Sequence, residues 1–467
     1  MRLVIRADGG DGIGVGHLAR TLAVSSRWLD TGGSAVLATA ALPEDWERRF
    51  KSLGVEVAAP SGLTELADQD AVLLVDGYHL AEVTNTTEGF RAKVGIDDFG
   101  LGQFGPGLDL IIDQSLHPSA ALPVSYRAAG RVLRGQRFVM LRPELQAGAP
   151  RPAAQDSQQL VVSLGGRPSD SVRRWADKVV SQLDQNIRPL LLIGVEDVGD
   201  VLRRTDIALA AAGSTTWELC RFGVPGVYIS LSPNQQHVLE TIEKLGCGVS
   251  LGSFDEVSSS RAAHELATLL ADRGRMGRMA DAAANSVDGM GTRRVVCALQ
   301  SLSLTTRPAC VLDRAMLFEW ANDERTRAMA FRSGPISWDT HVEWLTGRLA
   351  DADRPTLIVE FDKVPIGQFK ADVSGLVATV GISIERQYRG QGLGAAVVDI
   401  GSQTVLGTNE HIARLEAQVL EGNVPSQQAF LAAGYTSSGS GTTDGKDWLS
   451  FAFTRETASG LGHNRIG

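Results

Sequence analysis

Over its first 300 residues the chain alternates short, nearly unbroken apolar runs with stretches whose apolar residues recur every three or four positions. The runs Leu3–Arg6, Ala35–Ala38, Ala71–Val75, Leu110–Asp113, Leu160–Leu164, Leu190–Ile193, Ile207–Ala210 and Gly226–Ile229 predict strands. Uniformly apolar strands set between amphipathic helices predict parallel sheets covered on both faces. A linker by composition, Gln146–Gln155, interrupts the alternation and predicts two Rossmann-like α/β lobes, residues 1–145 and 156–300, with a cleft between them. Such sheets bind ligands at the carboxyl ends of their strands. Beyond a second boundary at Ser301–Pro308 the texture changes. Trp338, Val342, Leu345 and Leu349 fall at helical spacing, strands are predicted over Thr356–Phe361, Pro365–Ala371 and Leu376–Ile384, and a helix starts near Gly392. This α+β order predicts a third domain over residues 308–455, followed by a frayed tail, 456–467.

Composition narrows the classes of function. At 467 residues the chain exceeds one core, and 43% hydrophobic with 21% charged residues is a globular composition. A formal charge of −9 argues against nonspecific nucleic-acid binding, so an anionic ligand must be held by local dipoles and a few arginines. Cys220, Cys247, Cys297 and Cys310 lack metal-ligand spacing and read as reduced core residues of a cytoplasmic protein; no metal site is expected. The N-terminus meets charge too early for a signal peptide, and no apolar run is long enough for a membrane span.

Two glycine signatures carry the candidate chemistry. Gly14-Val15-Gly16-His17 follows an apolar strand and opens a helix, but it is not spaced as GxGxxG, and no acidic residue closes the next strand. A nicotinamide cofactor is thereby disfavoured. His17 stands at the helix N-terminus, where the dipole opposes imidazolium and favours a neutral ring able to accept a proton; the alternative is a residue that fills the turn. Gly213-Ser214-Thr215 opens another helix, whose free N–H groups suit a phosphate-bearing ligand, and Glu218 one turn on can accept from ligand hydroxyls.

Arg6-Ala7-Asp8, Gly14-x-Gly16-His17, Arg20, Asp76-x-Tyr78, Ile96-Asp97-Asp98, Leu164-Gly165-Gly166, Ala212 to Leu219, Asn234-Gln235 and Asp288-Gly289-Met290-Gly291 occur in this order. Together they resemble the GT-B-like UDP-sugar hydrolase of pseudaminic acid biosynthesis across residues 1 to 300. The resemblance implies metal-independent release of UDP from UDP-2,4-diacetamido-2,4,6-trideoxy-altrose by water. His17 is then the base, and Tyr78 either orients the sugar or closes the cleft wall. Asp8, Gly14, Gly16, Gly166, Gly213, Ser214, Thr215, Glu218, Asn234 and Gln235 form the nucleotide-sugar site. Asp97 and Asp98, pointing in different directions, read as loop-shaping or substrate-positioning groups.

The second signature, Gly381-Ile382-Ser383-Ile384 followed by Arg389-Gly390-Gln391-Gly392-Leu393-Gly394, with Asn423 and Ala433-Gly434-Tyr435 downstream, resembles the acyl-CoA loop of GCN5-related N-acetyltransferases (GNAT). The resemblance implies acetyl-CoA as cosubstrate. Ile382 and Ile384 would pair with the pantetheine arm, and Arg389, Gly390, Gln391, Gly392, Gly394 and Asn423 would complete the site. Trp320, Asn322, Asp323, Arg327, Ser337, His341 and Trp344 extend the likeness to acetyltransferases of amino sugars or protein N-termini, with His341 read as structural. The chain departs from that family at Phe430, where a tyrosine that protonates the leaving thiolate is usual, because a benzene ring has no proton to give. Either another group or water serves, or acetyl transfer is impaired; Tyr435 is an acid candidate only if its strand bends it inward. The expected activity is thus bifunctional: N-acetylation of a UDP-4-amino sugar, then hydrolysis of its UDP bond. The alternatives are a GT-B glycosyltransferase fused to an unrelated acetyltransferase, and a hydrolase regulated by a non-catalytic acetyl-CoA sensor.

Overall fold

The fold is seen in a computed structural model, which describes residues 1–10, 13–98, 104–115, 124–147, 158–165, 168–193, 195 and 197–455. Most of the linker by composition, the tail and Gly166 lie outside these residues.

The first sheet has seven parallel strands: β1 (Arg2–Ala7), β2 (Ser34–Ala38), β3 (Glu56–Ala58), β4 (Ala71–Asp76), β5 (Ala92–Ile96), β6 (Leu110–Asp113) and β7 (Arg131–Arg134). Their spatial order is β3-β2-β1-β4-β5-β6-β7, so the winding reverses between β1 and β4. Leu3, Val4 and Ile5 of β1 and Leu73, Leu74 and Val75 of β4 are fully buried, which is why these strands read as continuous apolar runs. The second sheet holds β8 (Gln158–Ser163), β9 (Ile187–Leu191), β10 (Ile207–Ala211), β11 (Gly226–Ser230) and β12 (Gly248–Ser253) in the order β12-β11-β10-β8-β9, again all parallel.

The third sheet is mixed. It comprises β13 (Leu304–Pro308), β14 (Thr356–Phe361), β15 (Val364–Ser374), β16 (Val377–Ile384), β17 (Arg414–Leu420), β18 (Thr436–Thr443) and β19 (Lys446–Thr454), ordered β13-β14-β15-β16-β17-β19-β18. The segment read as a boundary after residue 301 is therefore largely a strand, β13, which pairs antiparallel with β14. Its polar Thr305, Thr306 and Arg307 hid it from an apolar-run criterion. Only β16 and β17 pair in parallel, and only where Val377, Ala378 and Thr379 meet Arg414, Leu415 and Glu416; past Thr379 the two strands part.

The three units pack tightly. The helix Gly291–Ser301, which the sequence places with the second lobe, lies between the first lobe's helix Gly16–Leu29 and the third unit's helix Leu393–Thr408. One continuous apolar core includes Leu3, Leu18 and Trp28 of the first lobe, Val295 and Leu299 of that helix, and Phe369 and Val397 of the third unit. A doubly bonded ion pair, Arg131 to Asp399 at 2.7 and 2.9 Å, crosses the same junction. Three cysteines are buried as expected, but Cys310 is exposed at the turn Val311–Asp313.

Candidate functional site

Four strands of the first sheet end on carboxylates: Asp8 just after β1, Asp76 in β4, Asp97 and Asp98 just after β5, and Asp113 in β6. Each is fixed differently. Asp8 accepts from Arg6 at 2.6 and 2.8 Å, from the Ala40 N–H at 2.7 Å and from His79 at 3.0 Å. Burial would raise its pKa, but these donors outweigh burial and hold Asp8 well below the usual carboxylate range. Asp8 is thus a buried brace between the loops after β1 and β4. Asp113 is pushed up to about 7 by burial, against the opposing hydrogen bonds from Ser115.

At the reversal between β1 and β4, Asp76 Oδ1 lies 2.7 Å from His17 Nδ1. Arg20, one helical turn past His17, grips both Asp76 oxygens at 2.6 Å and reaches both Asp98 oxygens at 2.8 Å. Burial would raise Asp76 and Asp98, but the Arg20 charge, helped by His17, keeps both below the ordinary range. A fully buried carboxylate 2.7 Å from Nδ1 requires the proton on Nδ1, even though Arg20 Nη2 also approaches that nitrogen at 3.0 Å. In a neutral ring the Nε2 lone pair is then left to accept a proton. Gly14, at φ +84°, supplies the left-handed turn that delivers the chain into this helix, and Gly10 and Gly14 exchange backbone hydrogen bonds across the loop.

Tyr78 sets its ring edge-on to His17, centroids 5.2 Å apart, and donates its hydroxyl proton to Asp98 at 2.8 Å. Burial and the Asp98 charge push the phenol above its ordinary pKa, so it stays protonated and committed to Asp98. In this arrangement Tyr78 braces His17 and Asp98 at the wall of the cleft. The sequence singled out Arg20 and Asp76 as part of a pattern, but gave neither a role; their partners are 56 to 78 residues away along the chain.

The second lobe faces this network. A Cβ on Gly16 would sit 3.7 Å from Ser214 Oγ, so the two glycine loops confront each other. The Gly213 N–H is already bonded to the Ala211 carbonyl, leaving Ser214 and Thr215 as the turn's donors without a bonded partner among the described residues. Glu218 is held by Arg142 at 3.2 Å through both carboxylate oxygens, and burial pushes its pKa up despite that cation. Gly16, Arg20, Gln114, Arg142, Ser214 and Glu218 share one small pocket between the lobes. Asn234 hydrogen-bonds the Tyr78 phenol, and Gln235 accepts from the Leu231 N–H at 2.9 Å with its amide nitrogen toward Gly213.

In the third sheet, the parting of β16 from β17 leaves the β17-facing edge of Val380–Ile384 open, with Ile382 and Ile384 on it. The loop that follows turns through Gly390 at φ +79° and Gly392 at φ +73° into the helix Leu393–Thr408, with Gly394 in its first turn and Gln391 exposed. Arg389 does not extend into this space. It donates to the Ile384 carbonyl at 2.8 Å, to Asp323 at 2.6 Å and to Thr326 at 3.2 Å, tying the loop to the helix Glu324–Ala328. Gly392 carries a constraint the sequence did not reveal: a Cβ there would lie 2.5 Å from Thr31 Cγ2 of the first lobe. Asn423 caps the helix Val424–Ala432 through the Ser426 N–H. Phe430 is sealed between Tyr435 and Phe451, with centroids 5.0 and 6.2 Å away. Tyr435 is fully buried, shares a 2.8 Å hydrogen bond with Ser402, and is pushed up in pKa by burial; it does not fill the place of the missing acid. His341, bonded to the Arg314 carbonyl at 2.9 Å, is a satisfied core histidine.

The geometry defines a two-lobed, Rossmann-like α/β unit joined to a mixed sheet that opens between parallel strands beside a glycine loop. Residues 303–436 match the family model described as acetyltransferase (GNAT) domain, and this part of the chain is a GNAT acetyltransferase domain. Over 148 residues the chain is also 28% identical to the UDP-N-acetylglucosamine--N-acetylmuramyl-(pentapeptide) pyrophosphoryl-undecaprenol N-acetylglucosamine transferase of Sorangium cellulosum (strain So ce56). That match covers 31% of this chain and spans 35% of the relative's length. Among solved structures, aminoglycoside acetyltransferase AAC(6')-Ib in complex with coenzyme A is 20% identical, covering 34% of this chain and 98% of its own at a TM-score of 0.31. Spermidine N-acetyltransferase from Vibrio cholerae, in complex with CoA and spermine, is 16% identical, covering 33% and 97% at the same TM-score of 0.31. Among the described residues, no helix is long and apolar enough to cross a membrane, and no group of three or more His, Cys, Asp or Glu side chains is placed to hold a metal ion.

Proposed function

We propose that the chain is a bifunctional nucleotide-sugar enzyme in which the GNAT domain acetylates the 4-amino group of a UDP-linked 4-amino-4,6-dideoxy sugar from acetyl-CoA, and the two-lobed unit hydrolyses the UDP bond of the diacetamido product. The reading corresponds to two consecutive steps of pseudaminic acid biosynthesis. The observation that carries the hydrolytic half is the Asp76–His17 pair at the strand reversal, opposite the Ser214 and Thr215 N–H groups. Asp76 fixes the ring with Nε2 as proton acceptor, His17 takes a proton from water as it attacks the anomeric carbon, and the second lobe's donors meet the charge gathering on the departing diphosphate. In the GNAT half, acetyl-CoA lies along the open edge of β16 with its pyrophosphate at the loop from Arg389 to Gly394, and the acceptor amine attacks the thioester carbonyl.

Incubation of the full chain with the UDP-4-amino sugar and acetyl-CoA, followed by mass spectrometry, tests both halves at once: the expected products are CoA, UDP and a free diacetamido sugar. UDP release that depends on an added sugar acceptor would instead establish a glycosyltransferase. Seclusion of Phe430 and Tyr435 favours a second reading, in which the GNAT domain senses acetyl-CoA without consuming it. Acetyl-CoA that alters UDP release while remaining intact would establish that alternative.

A further inference from the structure

The GNAT domain carries a cationic side chain that neither the fold nor the acetyl-CoA loop employs. Lys370 of β15 pairs directly with Gly381 of β16, so the two residues face the same side of the sheet. Because Gly381 has no side chain, the lysine arm crosses it: a Cβ there would be 3.1 Å from Lys370 Cε and 3.8 Å from Cγ. The arm therefore runs across β16 toward the strand edge that parts from β17, and its ammonium stands 5.9 Å from the Trp344 ring centroid. Lys370 forms no ion pair with a described carboxylate. Asp372, two residues on along the same face, is taken by Arg348 at 2.8 Å and Arg354 at 3.0 Å. Arg348 and Arg354, both drawn to Asp372, share this face with Lys370, and burial, then the Arg348 charge, pushes the ammonium down from its ordinary pKa. A half-buried cation left without a counter-charge carries a cost, which is offset when a ligand brings the anion.

We propose that Lys370 is the specificity-determining residue of the acceptor subsite, selecting an amine borne on a nucleoside diphosphate and rejecting polycationic amines. The inference rests on the acetyltransferase reading of this domain and names the acceptor class it takes. A polyamine approaching this face meets Lys370, Arg348 and Arg354, with Asp372 already engaged, whereas a diphosphate meets Lys370 with its counter-charge absent. The Trp344 ring flanks the ammonium and keeps the arm extended over Gly381.

Two measurements on the full chain test this. In acetyl transfer, Lys370→Gln should raise the KM for the UDP-amino sugar about tenfold or more while the KM for acetyl-CoA stays within twofold, and Lys370→Arg should recover most of the loss. In calorimetric titration with UDP alone, Lys370→Gln should bind one equivalent fewer than the parent. Unchanged acceptor KM and unchanged UDP stoichiometry in folded Lys370→Gln would overturn the proposal, as would equal kcat/KM for spermidine and the UDP-amino sugar in the parent. Loss of one UDP equivalent without acetyl transfer to any amine would refute the acetyltransferase reading and leave the subsite standing. Acetyl transfer indifferent to Lys370 would do the reverse.

Discussion

Replacing Asp76 with asparagine isolates the element on which the hydrolytic proposal turns. The carboxylate accepts from His17 Nδ1 through one oxygen and from Arg20 through both, and it is completely buried. An amide of the same shape offers one acceptor and one donor, so it cannot serve both neighbours. If its oxygen stays with Arg20, the NH2 faces His17, and the ring must shift its proton to Nε2 to accept it; the lone pair required for water is then lost. Positioned general bases contribute about 10²- to 10⁴-fold, so kcat for UDP release in Asp76→Asn should fall by that factor, or about 2.7 to 5.4 kcal/mol at 1.36 kcal/mol per decade. Acetyl transfer should be unaffected. Arg20 retains both Asp98 contacts, so the stability cost should stay below the roughly 3–5 kcal/mol of a buried cation left bare. Proton linkage supplies a second readout. The folded-state pKa of Asp76 lies below its unfolded value of about 3.9, so the unfolded state binds more protons in that interval. The carboxylate's stabilisation is present above that value and is lost as pH falls through the folded pKa. Asp76→Asn should therefore lose less stability than the parent on acidification below about pH 4. UDP release within threefold of the parent, measured by a coupled UDP assay, would refute His17 as an oriented base.

Other perturbations address the remaining contacts. Glu218→Ala should raise the KM for the UDP-sugar about tenfold with kcat nearly constant, since a ribose contact is equal before and during bond cleavage; an unchanged KM would remove Glu218 from the site. Arg389→Ala frees the Ile384 carbonyl and Asp323 together and should raise the KM for acetyl-CoA about tenfold while UDP release continues normally; normal acetyl-CoA affinity would show that the loop holds its shape without that brace. Asp399→Ala leaves Arg131 without its partner across the domain junction and should cost about 3–5 kcal/mol, seen by calorimetry as a lowered or split transition; a single unshifted transition would mean that the junction is carried by apolar packing alone.

What the sequence disclosed, and what it hid, follows from the range of the interactions. β1, β4 and β10 are legible because burial on both faces demands unbroken apolar runs. β5, with Lys93 and Gly95 inside it, and β7, bounded by Arg131 and Arg134, carry no such signature. Their neighbours make them strands: β5 lies between β4 and β6, and Arg131 finds its counter-charge 268 residues on, at Asp399. The same holds for the candidate site. His17 and the glycine loops announce themselves through local spacing, whereas the partnership of Arg20 with Asp76 and Asp98 exists only once β1, β4 and β5 stand side by side. Asp8, Tyr78 and Arg389 were recognisable as residues of interest, yet each spends its polar atoms on the scaffold. Local spacing cannot distinguish a residue that touches a ligand from one that aims its neighbour.

One helix borders both proposed sites. Gly16–Leu29 begins with His17 in its first turn and, after 14 residues or roughly 21 Å, passes into Thr31, the residue against Gly392 of the acyl-CoA loop. Gln300 of the intervening helix bonds Thr31 at 3.1 Å and lies beside Gly392 as well, so the loop is seated on the first lobe and is not merely tethered to it. A side chain at Gly392 would have to displace Thr31 and also adopt a left-handed backbone unfavourable to a β-branched residue. Gly392→Val therefore disturbs two domains at once, and a loss of acetyl-CoA binding in that variant would not identify the loop as the pyrophosphate site. Substitutions away from the joint separate the functions: Asp76 acts within the first lobe and Lys370 within the third sheet, and neither contacts Thr31 or Gln300. If each impairs one reaction and spares the other, the two chemistries are independent occupants of one packed molecule; if Asp76→Asn also slows acetyl transfer, the shared helix couples them.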